Sequence, residues 1–147
     1  MKFAHLFLAA LLLAALPAVQ ALEPTFAVRV AIHGYDTVAY FTQSKPVPGT
    51  PQYSFKWQQA TWFFATPEHR DQFKKEPQKY APQYGGYCAY AISNNSTAKI
   101  DPQAWTIVAD KLYLNYNAKI QQRWLQNRDG RIAQADKNWP GLLNQDP

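Results

Sequence analysis

Aromatic and polar residues alternate in short stretches of the chain. Tyr53-Ser54-Phe55-Lys56-Trp57 puts every second side chain on one aromatic face, which is typical of a half-buried strand. Residues 61–65 form a second aromatic stretch after a short polar turn, so the two stretches are predicted to pair as a hairpin. Residues 105–108 and 111–116 flank an Ala-Asp connection and predict a second hairpin.

A helix is predicted directly after the first hairpin. Thr66 is a suitable N-cap, Pro67 occupies the first helical position and an acid follows in the first turn. We expect this helix to run to about Lys75, to end before Pro77, and to be anchored to the sheet by Phe73.

Two further helices are predicted after the second hairpin. From Asn117 the apolar period becomes helical, with Ile120, Trp124 and Leu125 on one face. We expect Asp129-Gly130 to end this helix. A last helix is predicted over residues 131–139, closed by Trp139-Pro140-Gly141.

Together these elements predict an α+β fold. We expect a single domain in which short hairpins form a small antiparallel sheet with a few helices packed against it. Residues 42–52 and 93–103 are rich in proline or polar residues and are predicted to be loops. The segment Cys88-Ala89-Tyr90-Ala91 is predicted to be a strand.

The N-terminal residues carry the pattern of a signal peptide. Lys2 gives a positive start, residues 6–16 are apolar, and Val19-Gln20-Ala21 offers small side chains for cleavage. The apolar run is shorter than the roughly 20 residues that a membrane span needs. We therefore expect residues 1–21 to be removed, leaving residues 22–147 as a periplasmic or secreted domain without a transmembrane segment.

Charge and catalytic motifs narrow the function classes. The formal charge is +5, but Lys and Arg are scattered along the chain, which argues against nucleic-acid binding. No nucleophile elbow, phosphate-binding loop, dinucleotide fingerprint or two-histidine zinc helix is present. The sequence therefore favours a non-enzymatic protein.

A single cysteine, Cys88, excludes an internal disulfide. Such a cysteine is either buried and inert, or kept for metal ligation or thiol chemistry. With His33 and His69 it completes the candidate metal ligands, a set that suits copper or zinc. Each histidine also has a structural interpretation, because His69 falls in the first turn of a helix and His33 lies in a loop. Asp36 is interpreted as a turn or cap acceptor.

Several ordered motifs resemble one family. Residues 62–69, then Phe73, then residues 76–80 resemble the core of the YHS domain, and residues 34–41 resemble its opening segment. Residues 84–89, 112–116 and 138–140 are similar to the exported bacterial branch, the YHS domain-containing (seleno)proteins.

This resemblance implies metal binding or metal sensing, because YHS domains accompany copper-transporting ATPases and other metal-handling proteins. Ala39 and Ala65 stand where the family carries cysteines, and His69 stands where its helix carries another. The leading hypothesis is thus an exported YHS-like protein that binds copper or zinc through Cys88 with His33 or His69. The alternatives are a thiol-redox protein acting through Cys88, and a non-catalytic module that binds an envelope protein or small ligand.

Overall fold

The computed structural model describes residues 30–143, so the predicted signal peptide, residues 1–21, lies outside the described residues. The helices are α1 (Thr37–Thr42), α2 (Pro67–Lys75), α3 (Pro77–Tyr80), α4 (Ala89–Ser93), α5 (Ala118–Leu125) and α6 (Arg128–Leu143). The strands are β1 (Thr50–Trp57), β2 (Ala60–Phe64), β3 (Asp101–Val108) and β4 (Lys111–Asn115). Helices and antiparallel hairpins in one compact arrangement confirm the predicted α+β class. Within this part of the chain, no helix combines the length and apolar character that a membrane crossing requires.

Both predicted hairpins are present. β1 pairs with β2, and Phe55 lies opposite Trp62, so alternate side chains of both strands share the buried face. β3 pairs with β4, and Thr106 lies opposite Tyr113. Each hairpin forms its own two-stranded sheet. The helices between and after the hairpins cover the rest of the core.

Helix α2 begins and ends as predicted. The Thr66 hydroxyl accepts a hydrogen bond from the backbone N–H of His69 at 3.1 Å. Phe73 is fully buried, and its ring centroid lies 4.7 Å from that of Trp62 and 5.2 Å from that of Phe64. Full burial of such a side chain is worth about 1.5–3 kcal/mol, so Phe73 fastens α2 to the first hairpin.

The strand predicted at Cys88 is wrong. Residues 89–93 form α4, and the first helical hydrogen bond runs from the N–H of Ile92 to the carbonyl of Cys88 at 3.0 Å. Directly upstream, Tyr84, Gly85 and Gly86 all have positive φ, and this left-handed turn redirects the chain before the helix. A short apolar run cannot by itself distinguish a buried strand from a buried helix.

The C-terminal helices meet earlier than predicted. α5 begins after the Asn117 cap, whose side chain accepts from the N–H of Ile120 at 2.9 Å, but it ends at Leu125. α6 starts at Arg128 and continues through Pro140 to Leu143. A glycine in the first turn and a proline in the last cost few helical hydrogen bonds, so neither ends α6.

The apolar face predicted for α5 is only partly correct. Trp124 is fully buried and Ile120 is half-buried, whereas Leu125 is 38% exposed. Trp124 joins a second core cluster with residues from β4, α4 and α6, and its ring lies 5.4 Å from that of Tyr113. The first cluster contains Trp62, Phe73 and Cys88 itself, so the two clusters together cover the segment that carries Cys88.

Candidate functional site

The three predicted metal ligands occupy different surroundings. His33 is exposed, in a 3₁₀ turn where its φ is +52°. His69 is buried in the first turn of α2, and Cys88 is buried at the start of α4. Among residues 30–143, no group of three or more histidine, cysteine, aspartate or glutamate side chains is arranged to hold a metal ion.

Asp36 organises the most extensive buried polar cluster around these candidates. Its side chain is fully buried, and Oδ1 accepts from the backbone N–H groups of Val38 and Ala39 at 2.9 and 3.3 Å. Oδ2 accepts from the N–H of Ala65 at 2.8 Å and lies 2.6 Å from Nδ1 of His69. The predicted cap role of Asp36 is therefore confirmed, and the carboxylate also ties α1 to the β2–α2 junction.

His69 lies in the first turn of α2, as predicted, and its side chain is buried there. A carboxylate only accepts hydrogen bonds, so Nδ1 of His69 carries the proton that is shared with Asp36. Its other ring nitrogen, Nε2, lies 3.3 Å from the hydroxyl of Thr42. Both ring nitrogens thus have protein partners, and the imidazole bridges a buried acid and an exposed hydroxyl.

The order Asp36, His69, Thr42 matches the acid–base–hydroxyl order of nucleophilic enzymes. The Thr42 hydroxyl also lies 3.1 Å from the carbonyl of Val38, to which it donates its single proton. A hydroxyl that donates within its own helix is not activated by the imidazole. The cluster is suited to joining α1, β2 and α2 rather than to catalysis.

A copper or zinc site built from the predicted residues does not fit this geometry. Structural sites for these ions use about four ligands with unengaged donor atoms, whereas Nδ1 of His69 is already hydrogen-bonded to Asp36 and the described residues bring no three candidate ligands together. A carboxylate that orients a histidine does occur beside metal sites. Here the hydroxyl of Thr42, rather than a second metal ligand, lies opposite the carboxylate.

Cys88 has the surroundings of an inert thiol. It is 1% exposed, and burial raises the pKa of the thiol, although nearby backbone N–H groups offset part of this effect. Its Sγ lies 3.7 Å from Oδ1 of Asn115, which also accepts from the N–H of Tyr90 at 3.2 Å. Because the thiolate is the reactive form, a raised pKa and burial both oppose thiol chemistry.

An open groove lies between the tip of the first hairpin, the Tyr84–Gly86 turn and the end of α6. Its volume is about 250 Å³. It is lined by aromatic rings and side-chain amides, and no charged side chain is among the described residues that line it. These residues include Trp57, Gln58, Gln78, Gln83, Tyr84 and Trp139.

Sequence reasoning missed this groove, although parts of it were visible. The Tyr84-Gly85-Gly86-Tyr87 segment and Trp139-Pro140 were both recognised as motifs, and Trp57 was assigned to a strand. Nothing in their spacing shows that they converge. The ring centroids of Tyr84 and Tyr87 each lie 6.1 Å from that of Trp139, although more than fifty residues separate Trp139 from either tyrosine in the sequence.

A second, shallow depression contains the exposed His33. It has a volume of about 340 Å³ and includes Lys99, Asp101 and Tyr116. The ammonium of Lys99 lies 5.6 Å from the centre of the Tyr116 ring, and Oδ1 of Asp101 accepts from the N–H of Gln103 at 2.9 Å. Lys99 and Asp101 carry opposite charges and each contacts a neighbouring residue. The depression therefore does not present one kind of charge that would select a class of ligand.

Comparison of the chain with protein-family models, with curated proteins and with solved structures gives no significant match. The geometry of the groove, of the Cys88 thiol and of the Asp36–His69 cluster is therefore what bears on function.

Proposed function

We propose that this protein is an exported, non-catalytic binding module, with the YHS-like character that its motifs suggest. The observation that carries the proposal is the open aromatic groove, whose described lining residues carry no charge. Binding sites are typically concave, mostly apolar and equipped with a few polar groups. The groove combines these features on three segments that are distant in sequence.

The surroundings of Cys88 and His69 also favour a binding module over the two alternatives. A thiol-redox protein needs an accessible cysteine of lowered pKa, whereas burial raises the pKa of Cys88. A metal carrier needs several free donor atoms close together, whereas Nδ1 of His69 is hydrogen-bonded to Asp36 and the described residues form no three-ligand group. The buried Cys88 and the buried His69 instead contribute to the stability of the fold.

Site-specific photocrosslinking in the producing cell tests the proposal. A photoreactive amino acid is placed at Gln78, which is exposed and lines the groove, or at Gln72, a glutamine of α2 that is also exposed and does not line it. We expect a discrete adduct from position 78 and none from position 72. No adduct, or equal adducts from both positions, would contradict the proposal.

Copper or zinc binding through Cys88, His69 and His33 stays a prediction, which a titration with Cu(I) and Zn(II) tests. The Cys88→Ala, His69→Ala and His33→Ala variants are compared with the parent protein. Since the described residues form no three-ligand group, we expect no stoichiometric high-affinity binding that any of these substitutions removes. A stoichiometric complex lost in Cys88→Ala would restore the metal hypothesis.

A further inference from the structure

The aromatic walls of the groove are fixed by the core behind them. The Trp57 ring centroid lies 5.7 Å from those of both Trp62 and Phe73, which are buried. On the opposite wall, Trp139 contacts Tyr84, whose hydroxyl donates to Oδ1 of Asp136 at 2.8 Å. Rings supported from behind present their exposed parts to a ligand with little loss of conformational freedom on binding.

The backbone at two edges of the groove adopts conformations that are uncommon for residues with side chains. Gln58 has a φ of +46° and Tyr84 a φ of +56°. Both central residues of a two-residue hairpin turn adopt this left-handed region, so the φ of Gln58 belongs to the turn between β1 and β2, as does that of Gln59. The hairpin turn and the Tyr84–Gly86 turn therefore fix the positions of two edges of the groove.

The polar groups that the groove offers are mainly side-chain amides. Gln58 and Gln78 are exposed and Gln83 is half-buried. The backbone N–H of Gln83 donates to the carbonyl of Leu112 at 2.8 Å, and that of Gly86 donates to the carbonyl of Gln83 at 3.1 Å. The side-chain amides therefore offer a ligand NH₂ groups that donate to carbonyl oxygens, beside their own carbonyl acceptors.

We infer that the groove binds a proline-rich segment of a partner protein in the polyproline II conformation. This inference rests on the proposed function and names its ligand. A polyproline II segment is uncharged, leaves its carbonyls without internal hydrogen bonds and packs its rings against aromatic side chains. These properties complement the amides and rings of the groove and the uncharged character of its described lining residues. An extended ligand also suits a groove that is open rather than enclosed.

Calorimetric titration of the purified full chain tests the inference. The probe is a blocked peptide of about nine prolines, or about three turns at three residues per turn. A Gly-Ser peptide of the same length is the flexible control, and a neutral oligosaccharide is the competing ligand class. We expect saturable binding of the proline peptide, and no binding of the Gly-Ser peptide or the oligosaccharide.

Matched variants locate the binding. Trp139→Ala is expected to weaken binding at least about tenfold, as for an aromatic hot spot. Gln58→Ala is expected to weaken it about threefold or more, while Gln59→Ala is neutral, because Gln59 shares the turn and its positive φ but does not line the groove. Tyr116→Ala, an exposed aromatic outside the groove, is the aromatic control. If Trp139→Ala fails to fold, Gln58→Ala and Gln78→Ala decide the question, because both side chains are exposed.

The outcomes separate this inference from the proposed function. Binding of the oligosaccharide instead of the proline peptide overturns the ligand class. Failure of both ligands, with a groove-specific crosslink at position 78, overturns the inference and leaves the binding module intact. Chemical turnover of either ligand overturns the proposed function itself.

Discussion

Nδ1 of His69 lies 2.6 Å from Oδ2 of Asp36, and this buried pair joins the turn before α1 to the first turn of α2. The two residues are 33 positions apart, and the same carboxylate accepts three backbone N–H groups. Loss of one member of such a network leaves buried donors without partners. The pair is therefore expected to stabilise the fold rather than to perform chemistry.

Replacing Asp36 tests that role. Asp36→Ala removes a helix cap, a contact to Ala65 and the partner of His69, so we expect a loss of about 3–5 kcal/mol in the free energy of unfolding. Urea denaturation followed by circular dichroism measures it. Asp71→Ala, at an exposed position of α2, should stay within about 0.5 kcal/mol of the parent. A loss below about 1 kcal/mol for Asp36→Ala would show that the network contributes little.

The thiol of Cys88 is expected to resist modification in the folded protein. Burial and a raised pKa both suppress the thiolate, so reaction with Ellman's reagent should require local opening. Opening that costs a few kcal/mol slows the reaction on the order of 100-fold or more relative to the chain in urea. The time course of labelling with and without urea checks this, and rapid labelling without urea would revive the thiol-redox hypothesis.

Stability is expected to fall at alkaline pH. Burial raises the pKa of the Cys88 thiol above its ordinary 9.0, and it also raises the pKa values of Tyr40, Tyr84 and Tyr113. The folded protein thus keeps protons that the unfolded chain releases. The stabilisation that these four groups contribute is fully present below their unfolded pKa values. It is lost as the pH rises through those values toward the folded pKa values.

Urea midpoints between about pH 8 and pH 11, a range that spans the ordinary pKa values of thiol and phenol, measure this loss. Cys88→Ala removes the group with the lowest ordinary pKa of the four, so its midpoint should begin to fall at a higher pH than that of the parent. Identical profiles for the two proteins would mean that the thiol does not contribute.

Two glycines should respond in opposite directions to substitution by alanine. A Cβ at Gly49 would lie 2.5 Å from the carbonyl carbon of Phe63 and 2.7 Å from the nitrogen of Phe64, so the backbones must separate. We expect Gly49→Ala to destabilise the fold by about 1–3 kcal/mol. A Cβ at Gly141 in α6 meets nothing within 4 Å, so Gly141→Ala should stabilise it by up to roughly 1 kcal/mol. Thermal unfolding of both variants measures the two signs.

The elements that the sequence predicted well are those whose signals are local. Alternation of aromatic and polar residues identifies β1, the short connections between strand-like stretches identify both hairpins, and the Thr66 and Asn117 caps mark the beginnings of α2 and α5. Helix α1 was missed because its six residues are too short to show a period. The strand predicted at α4 is wrong because a short apolar run is compatible with either a strand or a helix.

The candidate site follows the same division. Asp36 was correctly predicted to be a cap from its own sequence position, but its contact with His69 depends on how α1 packs near α2. The burial of Cys88 also depends on neighbours brought from β4, since Asn115 lies 27 positions away.

The sequence by itself determined the α+β class, the two hairpins and the helix caps, because each depends on residues within a few positions of one another. Only the tertiary structure decided that Cys88 is enclosed, that Nδ1 of His69 lies against Asp36 and that Trp57, Tyr84 and Trp139 line one groove. Those relationships join segments far apart in the chain. They arise when the apolar faces of separate elements pack together, and that packing sets which polar and aromatic groups remain accessible to a ligand.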